Sequence, residues 1–117
     1  MATYVPFLTA EDDDDDLLVS FGLGVHAERS LTLLRTPKYE SLLPVEERGV
    51  SVGTGRSTSL ERELLLAVAW GAREVAIRST RHLYVLDIHA VDPQEIRAAK
   101  VILGKMNFDK CFVVTDV

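Results

Sequence analysis

EVAIRSTRHLYVLDIHAVDPQEIRAAKVILGKM, residues 74–106, carries the reading of the fold. Residues 74–78 and 82–88 are rich in β-branched and aromatic side chains, and Ser79-Thr80-Arg81 between them is small and polar, so the segment predicts a β-hairpin. Then the period changes. Asp92 stands at an N-cap, Pro93 at the first helical residue, where its missing N–H costs nothing, and Glu95 three residues after the cap. Ile96, Ala99, Leu103 and Met106 fall on one helical face, with Arg97, Lys100 and Lys105 mostly outward, and Asn107 and Asp109 end the run. A hairpin running into an amphipathic helix predicts an α+β fold, a mostly antiparallel sheet with one or two helices packed on one face.

Working outward, residues 111–115 read as a final strand. On the other side, Thr58-x-x-Glu61 has the spacing of a capping box, Leu60, Leu64 and Val68 share a helical face, and Gly71 offers a C-terminal stop, which favours a helix over residues 60–70. The seven consecutive apolar residues 64–70 fit a buried strand as an alternative. Nearer the N-terminus, residues 3–8 are β-prone, but Pro6 confines them to an edge strand or a strand start. Residues 11–16 follow as a turn or loop. Residues 17–21 and 31–35 then read as two strands of a hairpin loosened by Gly22 and Gly24, residues 38–48 as a connecting loop, and residues 49–52 as a short strand.

The 117 residues suit a single domain, 1–117, and the 47% hydrophobic fraction excludes a disordered chain. One cysteine cannot form an intrachain disulfide, so a stapled secreted scaffold is excluded and a reducing cytoplasm is expected. No stretch approaches a membrane span, and the N-terminus lacks a signal-peptide pattern.

The net charge of -5 is local in origin. Glu11, Asp12, Asp13, Asp14, Asp15 and Asp16 form an unbroken acidic run, leaving twelve acids against thirteen bases elsewhere. A near-neutral body with one anionic patch argues against nucleic-acid binding, which needs a basic surface, and suits a basic protein partner. The competing reading is a solvated loop that keeps the chain soluble. Calcium binding is not expected, because a contiguous block lacks the spaced ligands and central glycine of an EF-hand.

Other motifs carry less. Val52-Gly53-Thr54-Gly55-Arg56-Ser57 sits where backbone amides could hold phosphate, but it lacks both a third glycine and a Gly-Lys-Ser/Thr ending, so a capping turn is the simpler reading and no cofactor is expected. Asp87 and His89 share a strand face and could begin a base with its orienting acid or a metal site, yet of the other two histidines nothing in the sequence brings His26 near and His82 reads as a surface residue. A polar strand end running into the Asp92 cap is the preferred reading. Cys111, before Phe112, Val113 and Val114, reads as core, Trp70 and Tyr84 as core or interface, and His82 as a surface residue. No nucleophile, base or metal constellation is complete, so no enzymatic activity is expected.

The segments AEDDDDDLLVSFG (10–22), SLTLLR (30–35) and LDIHAVDPQEIRAAKVIL (86–103) resemble the bacterial polymorphic-toxin immunity family numbered ten. There an acidic turn leads into an apolar strand, a second strand ends in a basic or polar residue, and an acid-capped helix closes the domain. Residues 58–71 depart by reading as helix where that order calls for strands, and residues 111–115 extend past the closing helix. The resemblance implies a small cytoplasmic protein that binds and occludes a cognate, basic toxin or effector domain through residues 11–16. A nucleic-acid-mimicking phage or host-defence inhibitor, and a small enzyme using Asp87 and His89, are the alternatives.

Overall fold

Asp92 and the apolar stripe behind it place the helix where the spacing put it. A computed structural model of the chain describes residues 2–13, 16–45, 48–54 and 63–116. Among these, nine strands and one α-helix follow in the order β1 (Thr3–Tyr4), β2 (Leu8–Asp12), β3 (Leu17–Leu23), β4 (Arg29–Arg35), β5 (Ser51–Gly53), β6 (Leu65–Trp70), β7 (Glu74–Ser79), β8 (Leu83–Asp87), α1 (Pro93–Met106) and β9 (Val113–Asp116). The strands make a four-stranded antiparallel sheet, β2-β3-β4-β5, and a five-stranded sheet, β1-β8-β7-β6-β9, in which β1 runs parallel to β8 and β9 parallel to β6. The class is α+β, with one α-helix among the described residues.

Alternation sets the faces. Leu17, Val19 and Phe21 of β3 are buried opposite Arg35, Leu33 and Leu31 of β4, their antiparallel partners. Val75 and Ile77 of β7 and Leu86 of β8 point inward from the second sheet, and Ala99, Ile102, Leu103 and Met106 from α1, so both sheets and the helix share one hydrophobic cluster. At about 1.5–3 kcal/mol per large apolar side chain, that burial is the main stabilising term. Trp70 is part of it, 1% exposed, and its indole N–H has no hydrogen-bond partner among the described residues.

Helix α1 lies along β2. The Leu8 amide donates to Glu95 Oε1 at 3.0 Å near one end, and Lys105 pairs with Asp12 near the other. Ten helical residues rise ~15 Å and four strand residues ~14 Å, so the two contacts fit a helix parallel to the strand. The helix thereby covers an otherwise open sheet edge. Asp92 Oδ1 accepts from the Gln94 amide at 2.8 Å, as an N-cap should. Glu95, however, spends its carboxylate on β2 and does not reach back to close a capping box.

Several expectations need correction. Of the helix expected over residues 60–70, residues 60–62 lie outside the described residues, and Leu65–Trp70 is instead the strand β6, paired with β7 and β9, as the alternative reading had it. A register shift between Leu65 and Ala67 places the buried Leu65 and Val68 three residues apart, and that bulge imitates a helical spacing. Gly71 belongs to the β6–β7 turn, its amide bonded to Glu74 O. Thr58 and Glu61 of the expected capping box, and Gly55-Arg56-Ser57 of the expected phosphate loop, lie outside the described residues. Residues 3–8 divide at Pro6 between β1 in one sheet and β2 in the other. Part of the expected loop over residues 38–48 is a 3-10 helix, Pro37–Leu42, and Cys111, expected in the core, is exposed.

Candidate functional site

The acidic run is the tip of the β2–β3 hairpin. Glu11 and Asp12, expected in a turn, are the last residues of β2, paired with Leu18 and Leu17; on an edge strand their backbones join the ladder while their side chains stay in water. Asp13 and Asp16 close the tip through reciprocal backbone bonds of 2.9 and 3.2 Å. Asp14 and Asp15 lie outside the described residues. The tip is held from two sides, by the pair between Asp12 and Lys105 of α1 and by the Thr36 hydroxyl, which donates to Asp16 Oδ1 at 2.7 Å.

Thr36 also borders a pocket, lined with Leu34, Tyr39, Glu40, Leu42, Leu43, Gly49 and Ser51. Tyr39 and Leu42 of this lining are exposed. One residue thus connects an anionic tip to an apolar shelf. The sequence reading named the first and missed the second, because the shelf comes from residues 36–45, which show no period.

Beneath both stands Arg35, 3% exposed. Its Nε and Nη2 donate to the two oxygens of Glu40 at 2.8 and 3.0 Å, its Nη1 and Nη2 to Asp109 at 2.9 Å each, and its Nη1 to the Met106 carbonyl at 2.6 Å. Phe108 lies over the guanidinium, 4.2 Å to the ring centroid. Burial works against the charge, but the bonds to Asp109 and Glu40 outweigh it and hold the Arg35 pKa above its usual value. The same guanidinium holds the Asp109 carboxyl well below the usual carboxylate range. Glu40 is completed by the Gly49 amide at 2.9 Å, donated from a φ of 133° that suits glycine. Arg35 was findable: it continues the inward alternation of Leu31 and Leu33, and an arginine at a buried position demands acids around it.

Cys111 Sγ lies 3.3 Å from Arg35 Nη1. Loss of water around the sulfur, only partly opposed by the Arg35 charge, raises the thiol pKa, so the group is not an activated thiolate.

Asp87 and His89 do meet. Asp87 Oδ1 accepts from the His89 amide at 3.0 Å and lies 2.6 Å from its Nδ1, and that bond lowers the Asp87 pKa. His89 packs edge-on against Tyr4. The pair caps the end of β8. A cluster that the sequence did not announce centres on Glu63, whose Oε2 takes the hydroxyls of Ser79 and of Tyr84 (2.7 Å) and lies 3.3 Å from His82 Nδ1. Burial pushes this carboxyl up, yet those bonds outweigh it and its pKa is lowered; Tyr84, buried against a carboxylate, is raised. Ser79 Oγ is already engaged by the Arg81 and His82 amides, so the cluster pins the β7–β8 turn to the start of β6.

Among the described residues no group of three or more His, Cys, Asp and Glu side chains is placed to hold a metal ion, and no helix is long and apolar enough to cross a membrane. No family model, curated protein or solved structure matches this chain.

Proposed function

We propose that the chain is a small protein-binding module of the immunity type, acting in the cytoplasm, that occludes a basic toxin or effector domain with its acidic hairpin and the apolar shelf beside it. The observation that carries this reading is the Asp16–Thr36 bond, which locks an anionic tip to a shelf of exposed Tyr39 and Leu42. Charge at a rim and aromatic or aliphatic anchors at a centre are the parts of a protein interface. Of the two departures from the family order, residues 58–71 are strand where they are described as Leu65–Trp70, and the strand past the closing helix, Val113–Asp116, stands.

The two parts have separable kinetics. Long-range attraction acts on encounter and short-range packing on escape. Asn replacements at Asp12, Asp13 and Asp16 are therefore expected to slow association, whereas Tyr39→Ala and Leu42→Ala are expected to speed dissociation. The experiment is recovery of the bound domain by pull-down from the source cell, followed by stopped-flow association over a range of salt. Association that ignores salt, or an Asn variant that associates as fast as wild type at low salt, returns the acidic run to a solubilising role.

A further inference from the structure

Among the described residues nothing covers the outer face of the five-stranded sheet, and its pattern fits a copy of itself. Val75, Ile77 and Ser79 of β7 are buried, so Glu74, Ala76 and Arg78 point the other way. Registry extends this face sideways: Val85, Ala76, Ala69 and Thr115 form one row across β8, β7, β6 and β9, and Leu83, Arg78, Ala67 and Val113 the next. Glu74 and Asp87 are partners at the other end. Asp87 is engaged by His89 and lies near Arg73, so the charges this face offers a partner are Glu74 at one end and Arg78 at the other, with small or apolar residues between.

Beside Glu74 the face is hollow. Ala69, Gly71, Ala76 and Val85 line a depression that Glu74 borders. A long side chain with an apolar stem and a cationic end would lay its stem on the alanines and reach Glu74 with its charge. Arg78 is such a side chain, exposed on the same face and two residues from Ala76 on the opposite side.

We propose that this face is a self-association surface on which a second copy packs antiparallel, about a two-fold axis lying between the sheets and across the strands at the level of Ala76. Rotation about that axis stacks β7 on β7 with reversed direction. Arg78 of each copy then seats in the depression of the other against Glu74, and Ala76 meets Ala76, as an isologous contact requires. Small central residues let two sheets approach to the usual ~10 Å. Four strands at ~4.8 Å spacing and about five residues at ~3.4 Å each give a face of roughly 320 Å², less than half of a standard interface of ~800 Å² per partner, so the dimer is weak and reversible. This face is distinct from the acidic hairpin and its shelf, and the inference stands independently of their role.

The test is sedimentation equilibrium of the full chain up to about 1 mM at low salt. Wild type is expected to show a concentration-dependent dimer. Glu74→Arg and Arg78→Glu each place like charges across both contacts and are expected to weaken dimerisation at least about tenfold. An equimolar mixture of the two variants is expected to restore it. In the mixed dimer the arginine introduced at position 74 of one copy meets the glutamate introduced at position 78 of the other, and the second contact keeps its native Arg78 and Glu74. That recovery cannot come from misfolded chains. Wild type that stays monomeric to about 1 mM, single reversals that dimerise as well as wild type, or a mixture no more dimeric than its components would each overturn the proposal.

Discussion

Replacing Arg35 by Met tests whether the end of the molecule beneath the acidic hairpin is held by one buried cation. The guanidinium binds Glu40 and Asp109 in forked pairs and caps the C-terminal end of α1 through the Met106 carbonyl. Met keeps most of the stem and removes every donor. The two acids then fare differently. Asp109, with 44% of its side chain exposed, rehydrates, whereas Glu40, 8% exposed, keeps, among the described residues, only the Gly49 amide. Breaking a buried pair from one side costs about 3–5 kcal/mol; with one acid free to rehydrate, about 3 kcal/mol is expected. In urea, with a slope of about 1.5 kcal/mol per molar, the midpoint should fall by about 2 M. Glu40→Met leaves Arg35 its other acid and the Met106 carbonyl, so it should cost less, about 1–2 kcal/mol. The double variant should then cost less than the two singles together by about 1–3 kcal/mol, because Arg35→Met no longer strands a buried carboxylate. The orphaned Gly49 amide occurs on both sides of that cycle and cancels. A single-variant loss under about 1 kcal/mol, or additivity within about 0.5 kcal/mol, would refute the reasoning.

Other outcomes follow from the same contacts. Asp109 has a depressed pKa in the fold, so its contribution is present above the unfolded carboxyl value of ~3.9 and is lost as pH falls toward the folded value; the acid limb of a stability–pH curve should flatten in Arg35→Met and stay unchanged if the Asp109 bond is unimportant. Tyr84 is raised, so its contribution holds below about pH 10 and is lost as pH rises toward the folded value; Tyr84→Phe should remove that alkaline loss. Asp92→Ala should cost roughly 0.5–2 kcal/mol by chemical denaturation, a midpoint equal to wild type counting against the cap. Trp70→Phe removes an indole N–H that has no partner among the described residues, along with some volume, and should cost within about 1–2 kcal/mol; a loss as large as that of Trp70→Ala would mean that the N–H is satisfied. Purified protein is expected to turn over no phosphoester, peptide or ester, and turnover abolished by His89→Ala would contradict that.

Local chemistry was legible and convergence was not. Asp92, Pro93 and the Ile96 stripe are decided within a few residues, and the hairpin of β7 and β8 by its own alternation. For residues 65–70 the sequence favours the helix over the strand alternative because their state is settled by neighbours: β7 and β9 supply the ladder, and the outward-facing Leu66, Ala67 and Ala69 are as apolar as the buried residues, so no alternation reveals the strand. The acidic run was visible as charge, but its attachment to Thr36 and Lys105 joins residues 20 and 93 positions apart. Glu63 meets Ser79, His82 and Tyr84 only through the packing of β6 on the β7–β8 turn. Cys111 misled because its apolar followers share its sequence neighbourhood and not its exposure; Phe112 alone turns inward.

The position of the acids bears on what they are for. Lys105 and Met106 bring the C-terminal end of α1, with its partial negative charge, beside the hairpin, and Glu40 and Asp109 add two carboxylates close by. Arg35 and Lys105 offset part of this charge from within and below, and Glu11 and Asp16 are exposed at the hairpin. A chain that needed acids only for solubility could scatter them over its surface, where they would repel one another least. Concentrated beside a helix C-terminus and braced by Thr36 and Lys105, they instead give a near-neutral domain one directional field, and such a field orients a basic partner before contact. Bracing matters as much as charge, since side chains already ordered lose less freedom on binding. Thr36→Val should therefore leave the charge intact and slow binding less than the Asn replacements do, while releasing Asp16 from its fixed geometry and speeding dissociation. Equal kinetics for Thr36→Val and wild type would show that the tip acts through its charge alone.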